Sequence, residues 1–144
     1  MKTCVTLVTL AVLVSTSCAS NPQPGEPGYS FNLNGQYTLQ MTASDGSSFA
    51  GNFQLKTLRG GAITGTMSIT TPMNISGQVE GSLLGSEVRL QTQYEVTGMG
   101  CGGLVEGTAV VSENGIGADG LMEVIEDECG GGFSTMTFSL IKNS

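Results

Sequence analysis

The sequence predicts an all-β fold: a single eight-stranded antiparallel up-and-down β-barrel, with a β-sandwich of the same strands as the alternative. Three observations predict it. Apolar residues recur at every second position through most of the chain; glycine, asparagine and proline turn signals interrupt that alternation at short, regular intervals; and glycine is abundant, at 22 residues, while only 12% of residues are charged. Period two sends alternate side chains to opposite faces of a sheet. Many short strands with tight connections favour neighbours that pair antiparallel.

The first element is not part of that fold. Lys2 precedes an apolar run from Cys4 to Val14, and the small residues Ser15, Thr16 and Ser17 follow. The run, about eleven residues, is too short for a hydrocarbon core that needs roughly twenty helical residues. Charge, apolar run and small residues in this order read as a secretory signal peptide over residues 1–17, which makes the protein exported, with the cell envelope as its address. Ser15-Thr16-Ser17-Cys18 resembles the lipobox of bacterial lipoproteins. That resemblance implies lipidation of Cys18, attachment to the membrane through this anchor only, and an outer-membrane or periplasm-facing location. Ser17 and Ala19 also satisfy the small-x-small rule for ordinary cleavage, so a free periplasmic or secreted protein stays open. Residues 18–34 hold three of the four prolines and few apolar side chains, the composition of a flexible Pro/Gly tether.

Residues 35–144 are the predicted barrel domain. Apolar positions in phase are Tyr37, Leu39 and Met41; Phe53 and Leu55; Ile63, Met67 and Ile69; Ile75, Val79 and Leu83; then Val88, Leu90, Tyr94 and Val96. Polar residues such as Thr38, Gln40, Asn52, Gln54, Gln78, Arg89 and Gln93 fill the positions between and should face water. Three further strands are expected at residues 105–111, 118–125 and 133–141. Turn signals separate all eight, including Ser44-Asp45-Gly46-Ser47, Arg59-Gly60-Gly61, the 98–103 loop and Glu128-Cys129-Gly130-Gly131-Gly132. Gly51, Gly65, Gly77, Gly107 and Gly120 lie in phase with the apolar face. Glycine there suits sharp coiling of a closing sheet, or an interior that needs room.

The cysteines offer a geometric test. Alternate connections of an up-and-down barrel share an end, so Cys101, between the fifth and sixth strands, and Cys129, between the seventh and eighth, should meet as a disulfide in an oxidising compartment. By chain entropy such a bridge contributes roughly 3.5 kcal/mol.

An exported leader, a Pro/Gly segment and eight short strands with glycine-started alternation resemble small bacterial lipoproteins with lipocalin-like, calycin or avidin-type, β-barrels. The likeness covers residues 35–142. Lipocalins set a Gly-x-Trp near the first strand; this chain has Gly35-Gln36-Tyr37 and no tryptophan, making Tyr37 the structural substitute. The resemblance implies a small hydrophobic or biotin-like ligand, or protease inhibition in one related barrel type, and so leaves the function open.

Composition narrows the function classes. Five basic against 12 acidic residues give a formal charge of −7, which repels phosphate backbones and argues against nucleic acid as a partner. With no histidine, Ser/His/Asp and Cys/His catalysis are excluded, and the commonest zinc ligand and general base are missing. No cofactor, metal or enzymatic activity is expected. Glu123, Glu126, Asp127 and Glu128 read as a solvated acidic loop. Two function classes remain. The first is a binding module for a small apolar ligand, with Tyr37, Phe53, Met67, Leu90, Tyr94, Met122 and Phe138 as lining candidates, drawn from an inward set that also holds Leu39, Leu55, Val79 and Met136. The second is a structural or interaction protein with a filled core that contacts another envelope component. A void of roughly 300 Å³ or more, open at one end, separates them.

Overall fold

The computed structural model describes residues 20–132 and 134–144. The signal segment, Cys18 and Phe133 therefore lie outside the described residues. Eight strands follow in order: β1 (Gly35–Ala43), β2 (Ser48–Thr57), β3 (Ala62–Thr71), β4 (Ile75–Leu84), β5 (Glu87–Val96), β6 (Cys101–Val111), β7 (Gly117–Asp127) and β8 (Thr135–Lys142). Each pairs antiparallel with its chain neighbours, and β1 pairs with β8 over Tyr37↔Lys142 to Ala43↔Met136, closing the barrel in up-and-down order. That ladder removes the sandwich alternative, which would leave the first and last strands unpaired.

The alternation decides which face is inside. Tyr37, Leu39, Phe53, Leu55, Met67, Val79, Leu90, Met122 and Phe138 are buried, while Thr38, Gln40, Asn52, Gln54, Gln78, Arg89 and Gln93 are exposed. A wall with polar residues outside and apolar residues inside buries one sheet face on itself and leaves no unpaired edge.

The inward glycines supply curvature rather than room. A Cβ at Gly51 would collide with the Ser68 carbonyl oxygen, one at Gly65 with that of Gln54, and one at Gly120 with that of Thr108. Neighbouring strands approach at these points more closely than any side chain permits, as sharp coiling requires. At Gly107 the space is taken by Met122 and Phe138.

Two features depart from expectation. β6 begins at Cys101, not at residue 105, because backbone pairing from Val96↔Cys101 to Gln93↔Leu104 runs straight through the glycines. The connection before it shrinks to residues 97–100, so Cys101 is a strand residue.

The second departure concerns the tether. From about Gln23 the chain folds over the barrel end that holds the β2–β3, β4–β5 and β6–β7 connections. Leu33 is fully buried there, and Tyr29 and Phe31 pack against the core in edge contact, their ring centroids 5.9 Å apart. Polar anchors hold the segment. The Thr57 hydroxyl accepts from the Leu33 N–H (2.9 Å) and donates to the Leu33 carbonyl (3.1 Å). Asn32 Oδ1 accepts from the Gly25 N–H at 2.8 Å, and the Gly60 N–H donates to the Pro24 carbonyl at 3.1 Å. Gly25 sits at φ +85° against the Leu58 carbonyl, where a Cβ has no space. Proline and glycine content here signals tight turns as well as lack of core, and composition does not separate the two. The described part of the predicted tether is thus a plug.

Candidate functional site: a methionine-lined mouth

Residues 20–34 close one end of the barrel, and the four connections at the other end leave it open. Inward positions in the closed half and the waist carry Tyr37, Leu39, Phe53, Leu55, Val88, Leu90, Phe138 and Leu140, all buried. Tyr37 is fixed at the plug: its hydroxyl donates to the Gly115 carbonyl (2.8 Å) and accepts from the Asn34 N–H (3.2 Å). Burial pushes its pKa up, against the opposing pull of the Asn34 bond.

Toward the open end the core gives way to a cavity of about 180 Å³. Its lining includes Met41, Met67, Met73, Met99, Met122 and Met136, which are all the methionines of the chain except Met1. Met41, Met67, Met122 and Met136 come from the walls and are buried. Met73 and Met99 come from the β3–β4 and β5–β6 turns and stand on the rim, 44% and 62% exposed. Phe49, Ile69, Ile75, Val96, Val105 and Val124 complete the apolar surface. Unbranched thioethers with three rotatable bonds make a wall that can re-pack around guests of different shape.

One charged group reaches this apolar mouth. Between β6 and β7 the register shifts, with Leu104 opposite Glu126 but Val105 opposite Val124. The extra residue, Ile125, reverses the alternation, so Asp127 follows the inward phase and lines the cavity. Its Oδ1 accepts from the Tyr94 hydroxyl (3.2 Å) and the Cys129 N–H (2.9 Å), and its Oδ2 from the Gly131 N–H (2.6 Å). Burial opposes ionisation of Asp127, but the donors of Gly131, Cys129 and Tyr94 outweigh it and hold the carboxyl below its usual pKa. Tyr94 moves the other way. Desolvation first, then the charge and hydrogen bond of Asp127 and the charge of Glu128, push its phenol up to about 12. At neutral pH the mouth therefore holds a carboxylate beside a neutral phenol.

The Cys101–Cys129 disulfide, with Cα atoms 5.3 Å apart, ties the start of β6 to the connection after β7. It fixes the loop whose backbone N–H groups hold Asp127. One inward position below Tyr94, Thr92 is 1% exposed, and its Oγ1 has no hydrogen-bond partner.

The structure separates the sequence-predicted lining residues into two sets. Met67, Tyr94 and Met122 line the cavity. Tyr37, Phe53, Leu90 and Phe138 do not: they fill the closed half and the waist, because inward phase shows which face a residue occupies but not its height along the barrel. Glu123, Glu126 and Glu128 are exposed, as a solvated acidic loop should be, whereas Asp127 turns in. Its role was hidden by the bulge, which breaks the period that sequence reading relies on. Among the described residues no three His, Cys, Asp or Glu side chains are placed to hold a metal ion.

No protein-family model and no curated protein matches the sequence. Among solved structures the chain is similar to EF1p2_mFAP2b bound to DFHBI, at 16% identity and a TM-score of 0.61 over 77% of this chain and 94% of that one. It is also similar to two redesigned β-barrels bound to DFHBI. For mFAP1 the values are 14% identity and TM-score 0.59 over 76% of this chain and 94% of the other; for mFAP0 they are 16% and 0.53, over 76% and 98%. At these identities the likeness is one of fold, a closed eight-stranded β-barrel.

Proposed function

We propose that the protein is an exported, lipid-anchored binding module that takes a small apolar ligand into its open mouth. The observation that carries this reading is the cavity itself, to which six methionines from four strands and two turns converge. A filled barrel would spend those positions on branched side chains with better-defined rotamers. At about 180 Å³, the space falls short of the 300 Å³ expected for a drug-sized guest. It is comparable to the roughly 150 Å³ apolar cavity that takes benzene. The ligand class is therefore a single ring or a short alkyl segment, with the exposed rim methionines Met73 and Met99 adding reach. That barrels of the same architecture hold DFHBI supports the use of this fold as a receptacle.

In this proposal residues 1–17 direct export and Cys18 carries the lipid, and the protein binds without catalysing a reaction. The lack of histidine and the pairing of Cys101 with Cys129 support the last point. A second reading, an interaction protein that contacts an envelope partner, draws on Val110, Leu121 and Ile141, exposed on the outer wall.

The test is a titration of full-length protein carrying ¹³C-labelled methionine methyl groups with benzyl alcohol. Saturable shifts at Met41, Met67, Met122 and Met136 are expected; no saturable shift would refute the reading. Native mass spectrometry of the purified protein should show a co-purified small molecule. For the anchor, a Cys18→Ala variant that remained in the membrane fraction would overturn lipidation.

A further inference from the structure

The cavity admits an apolar body; the charges around it select the head group. Resting on the binding reading above, we propose that the ligand is a small cationic amphiphile, an apolar ring or short chain bearing one ammonium group, with the ammonium held by Asp127 at the mouth.

The distribution of charge along the barrel axis is the first support. The chain has five basic residues, and the four within the described part are Lys56 at the end of β2, Arg59 in the β2–β3 turn, Arg89 near the start of β5 and Lys142 at the end of β8. Up-and-down connectivity places all four in the closed half. Glu26, Glu87, Glu113 and Asp119 lie in that half too and offset the four cations, whereas the open end carries Asp45 in the β1–β2 hairpin, Glu95 near the end of β5, Glu126 and Asp127 at the end of β7, and Glu128 beyond it. Among the described residues no cation accompanies them there. Five carboxylates without a counter-charge around one opening attract cations and repel anions before contact.

The second support is local and does not depend on that field. Among the described residues Asp127 is the only charged side chain in the cavity lining. It is turned inward by a bulge, and its three donors, the Tyr94 hydroxyl and Cys129 N–H on Oδ1 and the Gly131 N–H on Oδ2, leave one lone-pair site open, on Oδ2. A structural Asx-type bond alone would not require the side chain to line an apolar cavity, as the partly buried Asp127 does. Here the carboxylate sits where an apolar guest would end. It presents acceptors only, so it favours a donor head, and a charged donor binds an ionised carboxylate more strongly than a neutral one does. A carboxylate or phosphate head at the same place would meet Asp127 and Glu128 as like charges.

The experiment compares three ligands with the same ring and different heads: benzylamine, benzyl alcohol and benzoate, each titrated into full-length protein at neutral pH with the methionine methyl shifts as readout. Benzylamine should bind about tenfold or more tightly than benzyl alcohol, the range expected for a charge-assisted bond, and benzoate should bind most weakly. This ranking on the unaltered protein stands without any variant. Benzylamine binding no tighter than benzyl alcohol, or benzoate binding tightest, would overturn the cationic ligand while leaving the apolar binding reading intact. Failure of all three to bind would overturn both. In Asp127→Asn, with methyl dispersion retained as the check on folding, benzylamine affinity should fall to within about threefold of that for benzyl alcohol. An unchanged preference there would remove Asp127 from the proposal.

Discussion

Thr92 and Thr57 are both buried threonines on inward positions of the barrel, at 1% and 4% exposure, yet they should respond in opposite directions to the same substitution. The Thr92 hydroxyl has no partner. Burying such a group without a bond costs about 1–3 kcal/mol, and valine has the same shape, so Thr92→Val removes the cost without opening a cavity. A gain of about 1–2 kcal/mol is expected. With roughly 110 folding residues at about 2.1 cal/mol/K each, the entropy of unfolding is about 0.23 kcal/mol/K, so Tm should rise by about 4–9 °C. Thr57→Val strips the hydroxyl that both accepts from and donates to Leu33. Two buried backbone groups then lose their partner, and stability should fall by about 1–3 kcal/mol. Thermal unfolding followed by far-ultraviolet circular dichroism measures both variants. A lowered Tm for Thr92→Val would refute the reasoning, since it would mean that the hydroxyl is bonded, for instance to a buried water.

Three further predictions follow from the plug, the bridge and the mouth. Leu33→Ala should cost about 2–5 kcal/mol, the range for a fully buried leucine, in urea denaturation; a cost near zero would restore residues 18–34 to the status of a bare tether. Replacing both Cys101 and Cys129 with alanine should lower stability by about 3.5 kcal/mol through the freed loop, read as a lower denaturant midpoint. Tyr94, raised to about 12, contributes stability that is whole below the unfolded value of about 10 and is lost as pH climbs through its folded value. Phenolate absorbance should show Tyr37 and Tyr94 titrating late, and Asp127→Asn should move the Tyr94 transition toward lower pH.

The barrel was legible because its wall obeys one rule with few exceptions. Each inward residue from Tyr37 to Val96 keeps the phase set by its neighbours, and the turns carry their own residue signatures. The site was less legible for three physical reasons. Phase does not encode height, so Phe53 in the packed waist looked the same as Met67 in the cavity. The bulge at Ile125 reverses the phase after it, so Asp127 read as part of an exposed acidic run. Folding of residues 20–34 over the barrel depends on side-chain anchors such as Asn32 and Thr57, whose partners are remote in sequence. One signal was within reach. The alternation of connections that brought Cys101 and Cys129 to the same end also puts Met73 and Met99 there, because their turns are the third and fifth.

The plug also sets how the molecule would stand in a cell. Its chain leaves the barrel beside the β2–β3 turn, on the base of what is in effect a cup, so a lipid at Cys18 would hold the cup by its base. The brim, with its methionines and carboxylates, would then face away from the bilayer. Such a molecule would collect its guest from the aqueous space and not from the lipid beneath it.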